Sequence, residues 1–146
     1  MKARLDFGKA SPETYAAMLA LSRYTNECGL DATLLELVKT RASQINGCAY
    51  CLQMHTRDAR KLGETEERLH LLPAWRETAI YSPRERAALA WTEALTLLTE
   101  GHAPDEIYAE VRAQFSEAEI AKLTLAIAVI NSWNRIAVGL RFVPKP

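Results

Sequence analysis

Cys48, Cys51 and His55 stand at positions i, i+3 and i+7, the spacing that lays three side chains along one stripe of an α-helix. Two thiols one helical turn apart can close a disulfide with modest adjustment, which makes them a reversible two-electron couple. A helix starting at about Cys48 places that sulfur among the exposed amides at the positive end of the dipole, where thiolate is favoured over thiol. His55, one turn beyond Cys51, lies within reach of proton exchange with the Cys51 sulfur, directly or through water. The stripe therefore offers a nucleophile, a resolving thiol and a base.

Three readings fit this spacing: a redox couple, a metal site, and buried cysteines of no special reactivity. A structural zinc site would draw on Cys48, Cys51, His55 and a fourth ligand such as Cys28 or Glu36. Closed zinc sites usually bring a second, distant ligand pair, which this chain lacks, and the βαβ context of thioredoxin-like chemistry is absent too. Redox chemistry is the favoured of the three, and no metal or cofactor is expected. Cys28 reads as a passive thiol, and Glu36 taken alone as a solvated helix carboxylate. His70 and His102 sit at helix ends, where capping or surface roles are the default. Trp75, Trp91 and Trp133 read as core or interface aromatics, and Met54 as part of a pocket wall.

Helix signals recur along the whole chain. Ser11-Pro12 opens a helix that ends near Gly29. Asp31 caps the next, which runs toward Asn46-Gly47. Gly47 ends that helix and lets another begin at about Cys48, continuing to Leu62-Gly63. Glu64 to Trp75 holds a short helix broken by Pro73. Ser82 with Glu85 forms a capping box that launches Ala87 to Leu98, with a stop at Gly101. Pro104 opens a helix to about Ala113. Ser116 with Glu119 is a second capping box, starting a last helix that reaches about Val138. No run of period-2 β-branched residues bounded by turns interrupts this pattern. The expectation is an all-α fold of about six to eight helices in a single domain over 1–146, with the redox core at about 31–62.

The last helix is apolar nearly all round, from Leu123 through Ile130 to Ile136, so it must be covered all round. It is either the central core helix or buried on one face against another subunit, and an oligomer is expected.

The chain has 146 residues, with 18 basic against 18 acidic side chains. That balance, with no local basic run, argues against nucleic acid and anionic membranes as partners. Met1 to Lys9 has no apolar core of signal-peptide length. The apolar run Leu123 to Ile130 falls short of the ~20 residues that span a bilayer. The odd cysteine count with one CxxC does not suit a secreted disulfide framework, and the cytoplasm is the expected compartment.

Arg41-Ala42-Ser43-Gln44-Ile45-Asn46-Gly47-Cys48-Ala49-Tyr50-Cys51 followed by Met54-His55 resembles the core signature of the alkylhydroperoxidase-D and carboxymuconolactone-decarboxylase superfamily. Glu36, twelve residues before Cys48, matches the glutamate of that signature. The stretches Leu71 to Arg76 and Ser82 to Trp91 resemble single-domain members. The resemblance implies an all-helical peroxidase acting on organic hydroperoxides, assembled as a trimer or hexamer and reduced by a dithiol such as a lipoyl-bearing protein. It implies that Cys51 is the peroxidatic cysteine, that Cys48 resolves, and that Glu36 and His55 form the proton relay. Decarboxylases of the superfamily lack the paired cysteines, so the redox branch is the nearer one. A cofactor-free lyase using His55, and a non-enzymatic zinc or redox-sensing module, are the alternatives. One departure stands out: the family's second histidine, just before the second cysteine, is replaced by Tyr50, and a phenol is a poor base at neutral pH.

Overall fold

The computed structural model describes residues 1–144, and the described residues are helical with no strand. In chain order the helices are α1 (Phe7–Ala10), α2 (Pro12–Glu27), α3 (Ala32–Ile45), α4 (Ala49–Lys61), α5 (Glu66–Leu71), α6 (Pro83–Thr96), α7 (Leu98–Gly101), α8 (Asp105–Gln114) and α9 (Glu117–Leu140). A 3₁₀ segment, Leu72–Glu77, follows α5 directly. The all-α expectation holds. Nine α-helices form among the described residues, and two of these, α1 and α7, are single turns.

The starts are those the capping chemistry dictates. Asp31 accepts the Leu34 amide, and Ser82 and Ser116 each make a full reciprocal box with Glu85 and Glu119. The stops differ in places. The helix from Pro83 breaks at Leu97 and resumes as α7, which ends where His102 and Ala103 adopt positive φ. The last helix runs past Gly139 to Leu140, and Arg141 takes the left-handed position that closes it. That turn brings the Phe142 amide back to the Ala137 carbonyl at 2.8 Å. The phenyl ring thereby returns toward the cysteines instead of leaving the bundle.

α3 is the packing centre. Nine of its fourteen residues are buried, including Leu34, Leu35, Leu37 and Val38, and it lies against α4, α6 and α9. One core joins α3, α6, α8 and α9 around Leu35, Ala88, Val111 and Leu123. A second gathers Leu37, Leu72, Trp75 and Leu89. Each fully buried leucine contributes roughly 1.5–3 kcal/mol of hydrophobic free energy, so α3 is fixed on every side before any site chemistry is considered.

α9 is the core helix of the bundle, packed by α2, α3, α4, α6 and α8. At 24 residues and a mean hydropathy of 1.4 over its most apolar stretch, it is long and apolar enough to cross a membrane, which the shorter run Leu123 to Ile130 had not suggested. Its inward face carries polar groups with specific partners. Asn46 donates to Asn131 and Asn134 at 3.0 and 2.8 Å, Asn134 donates to Ser43, and Asn131 donates to Thr96. Buried amides left unpaired would be destabilising; here they tie the end of α3 to α9 just before the cysteine pair.

Candidate active site

The turn between α3 and α4 sets the site. α3 closes in a Schellman arrangement, with the Gly47 amide on the Gln44 carbonyl and the Cys48 amide on the Ser43 carbonyl. This geometry needs a left-handed residue, and Gly47 supplies it at φ +64°. Cys48 then occupies the N-cap of α4, its sulfur accepting the Cys51 amide at 3.3 Å in the role a serine or aspartate usually fills. Cys48 and Cys51 are joined in a disulfide with Cα atoms 5.3 Å apart. Both are buried, at 1% and 2% exposure, under Ala137, Tyr50 and Phe142.

Turning α4 back against α3 brings together residues 19 positions apart. The Nδ1 of His55 and the Oε2 of Glu36 are 2.8 Å from each other. Because a carboxylate can only accept, Nδ1 carries the proton and Nε2 is left as the basic nitrogen. The other Glu36 oxygen accepts from Lys39 Nζ at 2.8 Å. Burial pushes the Glu36 carboxyl up, but the hydrogen bond to His55 and the charge that ring carries when protonated, then the charge and hydrogen bond of Lys39, outweigh it and hold the group below the usual glutamate range. Glu36 is therefore an anion at neutral pH.

These groups open onto one cavity of about 260 Å³ between α2, α3, α4 and α9. Cys51, His55 and Glu36 line it; Cys48 does not. The polar end is made by Asn26, Glu36, Lys39 and His55, and the apolar wall by residues such as Tyr15, Leu19, Tyr50, Met54, Trp133 and Phe142. Met54 is in the wall as expected. Tyr50, which stands where the family has its second histidine, packs edge-on against Phe142 with ring centroids 5.4 Å apart.

The four residues singled out from the sequence thus fall into two pairs, Cys48 with Cys51 through the disulfide and Glu36 with His55 through a hydrogen bond, and Cys51, Glu36 and His55 line the same cavity. Several others escaped notice. Trp133, read as a core or interface aromatic, faces the cavity and donates to Ser22 at 2.7 Å. α1 was not foreseen; Asp6 caps it, and its Phe7 meets Tyr15, Trp133 and Phe142 in one aromatic cluster. Lys39 and Asn26 carried no motif signal. Cys28 is free and partly buried, its thiol donating to the Thr25 carbonyl. His70 and His102 are exposed, and His102 caps α7. Among the described residues no three His, Cys, Asp or Glu side chains gather as a metal site.

With this geometry in hand, comparison with known proteins is informative. A sequence profile of the carboxymuconolactone decarboxylase family matches residues 12–94. The uncharacterised protein YdfG of Bacillus subtilis (strain 168) is 44% identical over 140 residues, covering 96% of this chain and 95% of its own. A crystal structure from Agrobacterium tumefaciens, of a protein of unknown function suggested to be the antioxidant defence protein AhpD, superposes with a TM-score of 0.97. It has 45% sequence identity, and 99% of each chain is covered. An uncharacterised peroxidase-related protein with the AhpD core from Ralstonia eutropha JMP134 shares the fold at a TM-score of 0.83 and 18% identity, over 94% of this chain and 74% of that one. The chain belongs to the carboxymuconolactone decarboxylase family and is one of its AhpD-like members with a CxxC pair.

Proposed function

We propose that this protein is a thiol peroxidase that reduces organic hydroperoxides, an antioxidant activity carried by the Cys48–Cys51 couple. The observation that carries the reading is that Cys51 shares a largely apolar cavity with a buried Glu36–His55 pair, while its disulfide partner Cys48 lies outside that cavity. His55 takes the Cys51 proton, and the thiolate attacks the terminal peroxide oxygen. The O–O bond breaks, sulfur is oxidised to sulfenic acid, and the alkoxide leaves with the proton returned by His55. Cys48 then displaces the sulfenic oxygen as water and forms the disulfide. A dithiol, such as a lipoyl-bearing protein, restores both thiols by exchange. Cytoplasmic reductants suit that last step.

The test is lipoamide-dependent turnover of cumene or tert-butyl hydroperoxide, with thiols counted before and after peroxide. Two thiols per chain should be consumed and Cys28 should stay free. Thiols that do not respond to peroxide would turn the reading toward a cofactor-free lyase in which His55 alone is the acid–base group.

A homo-oligomer, a trimer or hexamer, belongs to the same proposal. α2 buries only Thr25 of its sixteen residues and exposes Leu19, Leu21 and Tyr24. α9 presents Ala121, Leu125, Ala128, Ser132 and Ile136 along one outward stripe. Because Tyr15 and Leu19 of α2 also line the cavity, a second copy seated there would wall it off from water. Light scattering is expected to give three or six times the chain mass at micromolar concentration; a stable monomer would end this part of the proposal.

A further inference from the structure

The peroxide cycle as written makes no use of Lys39, yet this lysine is 8% exposed and stands in the wall of the cavity that holds Cys51. Taking an ammonium out of water is costly unless partners replace its hydration. Here they do: Nζ donates to Glu36 Oε1 at 2.8 Å and to Asn26 Oδ1, on α2, at 2.6 Å. The chain of contacts runs Asn26–Lys39–Glu36–His55, and all four side chains line the cavity.

We propose that Lys39, pinned by Asn26, is a positioning residue for the peroxide reaction: its ammonium keeps Glu36 a pure acceptor for the His55 Nδ1–H and, as a cation in the same cavity wall, favours the thiolate form of Cys51. This inference rests on the peroxidase reading above. The surroundings leave Lys39 little competition. Asp58 of α4 also lines the cavity but is engaged by Lys61 and Arg57 at 3.2 and 3.3 Å. Tyr15 from α2 and Tyr50 from α4 are phenols, and α9 contributes no ionisable side chain to the lining. Among the described residues Lys39 is the only permanent cation there.

Removing a nearby cation raises the proton affinity of every acid–base group around it. Without Lys39, Glu36 would hold the imidazolium form of His55 more tightly, and Cys51 would lose an opposite charge. The lost charge at Cys51 moves thiolate formation to higher pH, while a more stable imidazolium favours the thiolate and only tempers that shift.

The test reads the thiolate directly. In a Cys48→Ser background, where no intramolecular disulfide can form with Cys51, iodoacetamide alkylation of Cys51 is followed against pH by peptide-resolved mass spectrometry. Lys39→Met is expected to move the midpoint up by about half a pH unit or more, and Lys39→Arg, which keeps the charge, to return it. Asn26→Asp, which places a second carboxylate on the ammonium, should shift it in the same direction. An unchanged midpoint in Lys39→Met, even with slower alkylation throughout, would make the lysine merely structural and overturn the proposal. If that variant does not fold, an unchanged midpoint in Asn26→Asp overturns it equally. The readout needs no hydroperoxide turnover, so a shifted midpoint in a protein that does not consume hydroperoxide supports the role of Lys39 while sinking the peroxidase reading.

Discussion

Replacing Cys51 with Ser is expected to reduce the reaction with organic hydroperoxide to background, while Cys48→Ser keeps the first step and stops the cycle at a sulfenic acid on Cys51. An alcohol is a far weaker nucleophile than a thiolate at neutral pH, and serine fits where the thiol was, so the loss reads chemistry and not folding. Two physical arguments compete over which sulfur attacks. Cys48 sits at the helix start, accepts an amide hydrogen bond and so gains most from the dipole. Cys51 lines the cavity with His55, whereas Cys48 does not. A stabilised thiolate that substrate cannot reach does not react, so access decides for Cys51. Stabilisation at the N-cap instead suits Cys48 as the thiolate released when the disulfide is reduced at Cys51. A dimedone-type probe with mass spectrometry reads the outcome. A labelled sulfenic acid on Cys48 in the Cys51→Ser variant, with no peroxide reaction in Cys48→Ser, would reverse the roles.

His55→Gln is expected to slow the first step by ~10²-fold or more, the usual scale for a positioned acid–base group. The imidazole is 7% exposed, and its Nδ1–H is already committed to Glu36, so Nε2 is the nitrogen available to Cys51. Glutamine fills similar space and cannot carry the proton. Glu36→Gln leaves His55 in place but removes the anion that fixes its tautomer and stabilises its protonated form, so a smaller loss is expected. Single-turnover kinetics of the reduced protein with cumene hydroperoxide, beside circular dichroism to confirm folding, measure both. A His55→Gln protein that keeps its parent rate would remove His55 from the relay. The same variant should leave peroxide-independent alkylation of Cys28 unchanged, because that thiol donates to the Thr25 carbonyl and does not line the cavity of His55.

Local chemistry determined much of this protein. Caps act within about one turn, so Asp31, Ser82 and Ser116 announced their helices, and Gly47 announced the turn that carries Cys48. The i, i+3, i+7 spacing likewise placed Cys48, Cys51 and His55 on one buried stripe, because helical periodicity is a property of the chain segment itself. The partnership of Glu36 with His55 was visible only through family resemblance; in isolation Glu36 is an ordinary helix carboxylate.

What tertiary structure alone decided lies where distant segments meet. Lys39 reads as a solvated side chain until α3 is found buried on every side, and then its charge must be matched from α2 and α3. Trp133 and Ser22, 111 positions apart, become hydrogen-bonded neighbours at the cavity wall. Phe142 reaches Tyr50 only because Arg141 turns left-handed at the end of α9, a conformation costing a non-glycine residue about 1 kcal/mol or more and unmarked by its sequence. The choice between the two sulfurs belongs here too. Helix periodicity sets both on the same stripe, but which of them meets a cavity depends on α2 and α9 packing over α4, and no signal local to Cys48-Ala49-Tyr50-Cys51 encodes where those helices come to rest.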